Sequence, residues 1–209
     1  GTLIINSGAT LVQGSASTIA GSGNYIVKQI VSGIGQIVAP AGRFWYLGSP
    51  VTTATSSVFF TNLTTNNTVV KKRNESNNSW TQIASGTPEN LEVGRGYYAQ
   101  IRPVASSSLS QNVPLTFSGT INNNPTSSAL TINCTRTTGQ GFEGFNLVSN
   151  PYPSYLDWDL VTKTNVGNTM WYRTATGTAS NTMVFETYVA GAAGGIGTNL
   201  SGNVATKLI

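Results

Sequence analysis

Histidine is absent from this chain of 209 residues, which contains only one cysteine and seven acidic residues. Without histidine there is no Ser-His-Asp or Cys-His nucleophilic site, and the commonest general base and metal ligand are missing. One cysteine cannot form an internal disulfide, and seven carboxylates leave few groups for acid–base chemistry. These absences argue against an enzyme, and we expect a protein without catalytic residues.

Charged residues make up only 9% of the chain, whereas about a quarter is usual in soluble proteins. This scarcity excludes coiled coils and helical bundles, whose exposed faces are rich in charge. Hydrophobic residues at 39% and aromatic residues at 9% are too abundant for a disordered chain. The chain therefore folds, and its many Thr, Asn and Gly residues favour short strands joined by turns.

The net charge of +4 reflects few acids rather than many bases. The one basic cluster, Lys71-Lys72-Arg73, is interpreted as the solvated end of a hairpin, so we expect no nucleic-acid partner. No apolar run is long enough to cross a bilayer, which predicts no transmembrane segment. Because the chain begins at Gly1 without Met or a signal sequence, we interpret it as a mature product or a fragment.

Short aromatic and β-branched runs between Gly, Pro and Asn turns predict many strands. The predicted strands are 25–31, 44–47, 58–60, 69–71, 80–83, 96–101, 114–118, 129–135, 144–148, 170–173 and 182–189. Strands without alternating helices predict an all-β fold, an antiparallel β-sandwich of the jelly-roll type. A single helical turn is predicted within 154–161, and the Gly-rich run 190–197 is predicted to be a mobile loop.

The chain is predicted to contain an N-terminal β segment, 1–24, and a sandwich domain, 25–209. Apolar runs on either side of Asn6-Ser7-Gly8 suggest a β-solenoid-like rung, a hairpin or an exchanged strand in the first segment. The sandwich domain is predicted to consist of two related halves, 25–119 and 120–209. This division follows the similarity of WYLGSP at 45–50 to FNLVSNP at 145–151.

Four motifs together carry a resemblance to a known group of proteins. They are FNLVSNPYPSYLDW at 145–158, RFWYLGSP at 43–50, GRGY at 94–97 and TFSGTINN at 116–123. In the identity of these motifs and in their order along the chain, the protein resembles modules of large secreted surface proteins of Bacteroidetes. Those modules precede a C-terminal sorting domain of type IX secretion. The resemblance implies an outer-surface or released protein, often an adhesin, and supplies no catalytic residues.

Exposed aromatic rings beside polar turn residues are candidates for stacking on sugars. We assign this role to Trp80, Tyr152, Tyr155 and Trp158. Trp45 and Trp171 lie in apolar alternation and are predicted to be buried. Cys134 alternates with Leu130 and Ile132, so we also expect it on a buried face.

Asp157 and Asp159 flank Trp158 and have three interpretations. As a glycosidase pair they start from one segment, whereas catalytic carboxylates approach the scissile bond from opposite faces. They could instead be calcium ligands, since carboxylates and backbone carbonyls suit this cation. The structural alternative is that Asp157 accepts backbone hydrogen bonds in a turn. No other cofactor is predicted.

Two functions remain open. The leading hypothesis is a non-catalytic extracellular structural or adhesive module of a bacterial surface protein, which self-associates or binds other surface proteins. It could form a fibre by strand addition, in which one chain completes the open sheet edge of another. The edge residues predicted for that contact are Leu3, Ile5, Leu11, Val204 and Leu208. The alternative is a carbohydrate-binding module of a secreted polysaccharide-degrading protein, with glycans as its partners.

Overall fold

The structure is a computed structural model that describes residues 1–12, 19, 23–31, 44–60, 68–100, 112–122, 130–175, 183–191 and 194–198. The strands in these ranges are β1 (Thr2–Ile5), β2 (Asn24–Val31), β3 (Phe44–Leu47), β4 (Val69–Asn74), β5 (Ser79–Ile83), β6 (Tyr97–Gln100), β7 (Val113–Gly119), β8 (Thr169–Ala175), β9 (Met183–Val189) and β10 (Ile196–Gly197). The helical segments there are two 3₁₀ turns, Ser56–Phe59 and Glu75–Asn77. The protein is therefore all-β, as its composition and short apolar runs predict.

Sheet A contains β1, β2 and β7 in the order β1-β2-β7. β1 runs parallel to β2, with Thr2 opposite Asn24, and β7 runs antiparallel to β2, with Val113 opposite Val31. The hairpin predicted around Asn6-Ser7-Gly8 is wrong, because residues 9–12 form no strand and β1 pairs with β2 instead. The solenoid-like rung and the exchanged strand stay predictions.

Sheet B is antiparallel throughout, with the strand order β3-β6-β4-β5. Alternate side chains of each strand point to opposite faces of the sheet. One face is buried in the hydrophobic core and carries Leu47, Val70, Ile83, Tyr97 and Ala99. The opposite face, which we call the outer face, is therefore left to interact with other groups.

A single hydrophobic cluster joins the buried side chains of sheets A and B. Phe59 connects them, since its ring centroid lies 6.3 Å from that of Tyr97 on β6 and 6.3 Å from that of Phe117 on β7. The strand predicted at 58–60 is wrong, because these residues belong to a 3₁₀ turn tied to another loop. The Ser56 N–H donates to the Glu89 carbonyl at 2.8 Å, which holds that turn against the core. The shared core is what a sandwich requires, and the jelly-roll topology stays a prediction.

Sheet C is also antiparallel, in the order β10-β9-β8. Part of the Gly-rich run predicted to be a loop is strand β10, which pairs with Val189 and Tyr188. A Cβ atom at Gly195 would collide with the Tyr188 ring, so glycine lets the chain pass close to that ring. Tyr188 and Ala190 form a small buried cluster against which Trp158 and Tyr172 pack.

The strands predicted at 129–135 and 144–148 are wrong over the described residues, which lie in turns and irregular backbone apart from Val148, which forms a single β-bridge with Arg95. The Asn146 side chain provides the reason. Its Nδ2 group donates to the Thr135 carbonyl at 2.8 Å, and its Oδ1 accepts from the Thr135 N–H at 3.2 Å. A side chain thus pairs with the backbone groups that a neighbouring strand would otherwise use.

Glu75 also holds the irregular segment, through hydrogen bonds to its backbone. Its buried carboxylate accepts hydrogen bonds from the backbone N–H groups of Thr137 at 2.7 Å and Gly144 at 2.9 Å. These two bonds, with others from threonine side chains, outweigh desolvation and lower the pKa of Glu75 to about 2. Cys134 lies in this irregular segment and is exposed, so the buried position predicted from strand alternation is wrong.

The turn predicted within 154–161 is present as a hydrogen-bonded turn, in which the Leu160 N–H donates to the Asp157 carbonyl at 3.1 Å. Among the described residues, no helix has both the length and the apolar character needed to cross a membrane.

Candidate functional site

The outer face of sheet B gathers aromatic and basic side chains because of strand register. Tyr98 of β6 lies opposite Tyr46 on one neighbouring strand and Lys71 on the other. Arg73 of β4 lies opposite Trp80 of β5. Together with Arg173 of β8, these strands surround a cleft of about 240 Å³. We call it the aromatic cleft, and its lining residues are Phe44, Tyr46, Lys71, Trp80, Tyr98 and Arg173.

Four aromatic rings are in mutual contact in the aromatic cleft. The rings of Tyr46 and Trp80 are stacked, with planes 12° apart and centroids separated by 6.3 Å. Tyr98 meets Trp80 edge to face at 5.8 Å and approaches Phe44 at 4.4 Å. Trp80 is nevertheless 39% exposed. A rigid, partly exposed group of rings can therefore stack on a flat ligand.

Three basic side chains lie over these rings. The Lys71 ammonium is 5.8 Å from the centroid of Tyr98, and the Arg73 guanidinium is 5.8 Å from that of Trp80. The Arg173 guanidinium is much closer to its ring, 3.2 Å from the centroid of Phe44. Aromatic faces attract cations, so these contacts hold positive charge at the edge of the cleft.

Arg173 is partly desolvated in this position. Its Nε atom is buried and has no hydrogen-bond partner among the described residues. Burial lowers the pKa of Arg173, while the hydroxyl groups of Tyr46 and Tyr98 oppose that change. An unpaired guanidinium N–H is unfavourable when buried.

The acidic residues of the chain are engaged away from the cleft. Within the described ranges the ion pairs join Lys72 to Glu89, Arg95 to Glu92 and Arg136 to Glu143. The other four acids also lie away from the cleft. Glu75 binds backbone N–H groups, and Asp157 and Asp159 lie in a turn. Glu186 is buried on the face of sheet C opposite to that of Arg173. The cleft therefore has a surplus of positive charge.

A second group of aromatic residues extends from the cleft along β8. Trp171 shares a strand face with Arg173 and contacts the ring of Phe145 at 5.1 Å. Phe145 in turn meets Phe142 edge to face at 5.9 Å. Trp171 is 49% exposed, so its predicted burial is wrong, because the other face of β8 carries the buried Met170. We call Phe142, Phe145 and Trp171 the aromatic ridge.

The comparison with protein families matches residues 1–206 to a domain of unknown function, DUF8693. The chain belongs to this family. No curated protein and no solved structure matches the chain. The DUF8693 match includes all three sheets and the aromatic cleft, and the family description assigns no activity to them.

The glycan-binding residues predicted for this DUF8693 chain lie in two places. Trp80 is part of the aromatic cleft, whereas the other three lie in the segment that follows Asn150. Tyr155 is 67% exposed, and Tyr152 is half-buried, which raises its pKa. Trp158 packs against the cluster of sheet C, and its Nε1 donates to the Asn168 carbonyl at 2.9 Å. Trp158 therefore has a packing role in the fold.

Asp157 and Asp159, the predicted calcium ligands, make contacts within the protein. Asp157 Oδ1 accepts from the Asp159 N–H at 3.0 Å, as the structural alternative expects. The Asp159 carboxylate accepts from the Tyr188 hydroxyl at 2.9 Å. Over the described part of the chain, no three His, Cys, Asp or Glu side chains are grouped as a metal site.

The residues predicted for an assembly edge differ in burial. Leu3 is 42% exposed on β1, Ile5 is buried, and Leu11 packs against the main core. The Leu11 N–H donates to the Pro153 carbonyl at 2.9 Å. Val204 and Leu208 lie outside the described residues.

Of the residues that line the cleft, the sequence predicts only Trp80 as a ligand residue. Phe44, Tyr46 and Tyr98 lie on predicted strands without a predicted binding role. Their period-two alternation with Trp45, Leu47 and Tyr97 was the available signal, since it separates a core face from an outer face. The position of Arg173, more than 70 residues further along the chain, had no comparable signal.

Proposed function

We propose that this chain is a non-catalytic adhesive β module of a bacterial surface protein, and that it binds carbohydrate through the outer face of sheet B. The observation that supports this function is the stacked pair of Tyr46 and Trp80 beside Tyr98 in an open cleft. Carbohydrate binding was the alternative from sequence, and the cleft favours it over a purely structural role.

The physical basis is the complementarity of sugars and aromatic rings. One side of a sugar ring presents C–H groups, which pack on an aromatic face, while its hydroxyl groups need polar partners. Gln82 is exposed on the same face of β5 as Trp80. Its amide group is a suitable partner for hydroxyl groups at the edge of the cleft.

The location of the module is part of the proposal. The four motifs that resemble Bacteroidetes surface proteins support an extracellular position. An adhesive module at that position would meet glycans of other cells or of the surrounding matrix.

The test is binding to an array of glycans, followed by titration with the best ligand. We expect Trp80→Ala to weaken binding by about tenfold, because a stacking surface is lost. The matched control is Tyr155→Ala, which removes another exposed aromatic residue outside the cleft. Absence of binding to any glycan would overturn the proposal. Loss of binding in Tyr155→Ala, with binding retained in Trp80→Ala, would also overturn the proposal.

Strand addition at β1 is the second candidate function. β1 is at one end of sheet A, and Leu3 and Ile4 are 42% and 48% exposed on it. An exposed apolar edge strand can pair with a strand of another chain. We expect concentration-dependent assembly by light scattering and filaments by electron microscopy, both reduced by Ile4→Lys. A wild-type protein that stays monomeric at all concentrations would exclude this function.

A further inference from the structure

The aromatic cleft combines stacking rings with cations that have no acidic partner. Lys71, Arg73 and Arg173 all contact its rings. None of them takes part in an ion pair within the described residues. Arg73 donates to the Ser79 carbonyl and the Asn78 amide oxygen, which are neutral acceptors. Positive charge at the cleft is therefore available to a ligand.

Of the three cations, Arg173 is the best positioned to bind a carboxylate. Stacking on Phe44 restricts its guanidinium plane, and its buried Nε has no partner in the described structure. The guanidinium group presents paired N–H donors in a planar fork that matches a carboxylate. A bound carboxylate would accept from the guanidinium group where it lines the cleft and would supply the missing negative charge.

We infer that the ligand of the aromatic cleft is an acidic polysaccharide containing uronic acid units. The sugar ring stacks on the surface formed by Tyr46 and Trp80, and its carboxylate binds Arg173. Lys71 adds a second positive charge to the lining of the cleft. This inference rests on the proposed function and narrows its ligand from carbohydrates in general to one class.

Single-stranded nucleic acid also combines flat rings with negative charge, but the structure favours the polysaccharide. Nucleic-acid sites need basic residues along the path of the backbone to neutralise successive phosphates. Here the cations cluster at one cleft, while the acidic residue Glu143 lies in sequence between two residues of the aromatic ridge, Phe142 and Phe145. Glu143 pairs with Arg136 at 3.5 Å, which neutralises the charge there.

The experiment compares polygalacturonate with its fully methyl-esterified form, which has the same backbone without the charge. Calorimetric titration at low salt should give about tenfold tighter binding per site for polygalacturonate, as expected for a charge-assisted hydrogen bond. Arg173→Gln and Lys71→Gln should each reduce this difference. The controls Arg136→Gln and Lys28→Gln remove equal charges outside the cleft and should preserve it. Thermal unfolding of each variant verifies that it folds.

The outcomes separate this inference from the proposed function. Equal affinity for the two polymers, both lost in Trp80→Ala, would overturn the inference and leave carbohydrate binding in place. Binding of neutral array glycans without binding of either polymer would likewise overturn the inference and leave carbohydrate binding in place. No binding to these polymers or to any array glycan would overturn both. Tighter binding to oligo(dT) than to polygalacturonate would also overturn both.

Discussion

The guanidinium of Arg173 on β8 lies 3.2 Å from the ring centroid of Phe44 on β3. The contact joins sheet C to the outer face of sheet B. The contact places a cation at the boundary of the aromatic cleft. Sheet B alone would not supply this cation. The binding surface proposed here therefore depends on residues that are distant in sequence.

We expect Arg173 to control the ionisation of Tyr46. Burial raises the pKa of the Tyr46 hydroxyl, and Arg173 opposes this through its charge and a hydrogen bond. Because Arg173→Met removes the opposing contribution, the pKa of Tyr46 should rise further. NMR titration of ring-labelled tyrosine measures it, with Arg136→Met as the control. An unchanged or lower pKa in Arg173→Met would contradict the contact.

Glu75 makes stability depend on pH in the acidic range. Its pKa falls from 4.5 to about 2 on folding, so its contribution is complete above about pH 4.5 and is lost as pH falls towards 2. Thermal unfolding from pH 7 to 2 should show Glu75→Gln well below wild type at neutral pH and closer to it near pH 2. Glu92→Gln, at an exposed ion pair, should follow the wild-type curve. Parallel curves for Glu75→Gln and wild type would argue against this role.

Phe59 should be essential to the core shared by sheets A and B. It is 1% exposed and contacts Tyr97 and Phe117, so Phe59→Ala leaves a cavity. We expect a loss of about 3–5 kcal/mol in the free energy of unfolding, measured by urea denaturation. Phe142→Ala, at a position 70% exposed, should cost about 0.5 kcal/mol or less. Similar losses in both variants would contradict the assigned core.

Gly96 lets the segment around Leu147 approach the start of β6. The Gly96 N–H donates to the Leu147 carbonyl at 2.9 Å, and a Cβ atom there would lie 2.6 Å from Leu147 Cγ. Gly96→Ala should therefore lower the free energy of unfolding by about 1–3 kcal/mol. Gly86→Ala is the control, because a Cβ atom at Gly86 meets nothing within 4 Å. Equal stability of the two variants in urea would show that this close approach is not required.

Local pattern predicted the strands that have clear period-two alternation. The predictions at 25–31, 114–118 and 170–173 correspond to β2, β7 and β8. Predictions failed where side chains replace strand pairing, as at Asn146, because hydrogen bonds between distant residues leave no periodic signal. Of the predicted ligand residues, only Trp80 lies in the aromatic cleft.

Composition and local pattern were sufficient to predict the all-β class of this protein. Scarce charge and short apolar runs between Gly and Pro turns favour strands, because helical bundles and coiled coils need charged exposed faces and longer periodic segments. Which rings meet depends on the complete fold, since strand order and register bring Phe44, Tyr98 and Trp80 together. The complete fold also sets the position of Arg173, because the packing of distant segments depends on the whole fold and not on local pattern.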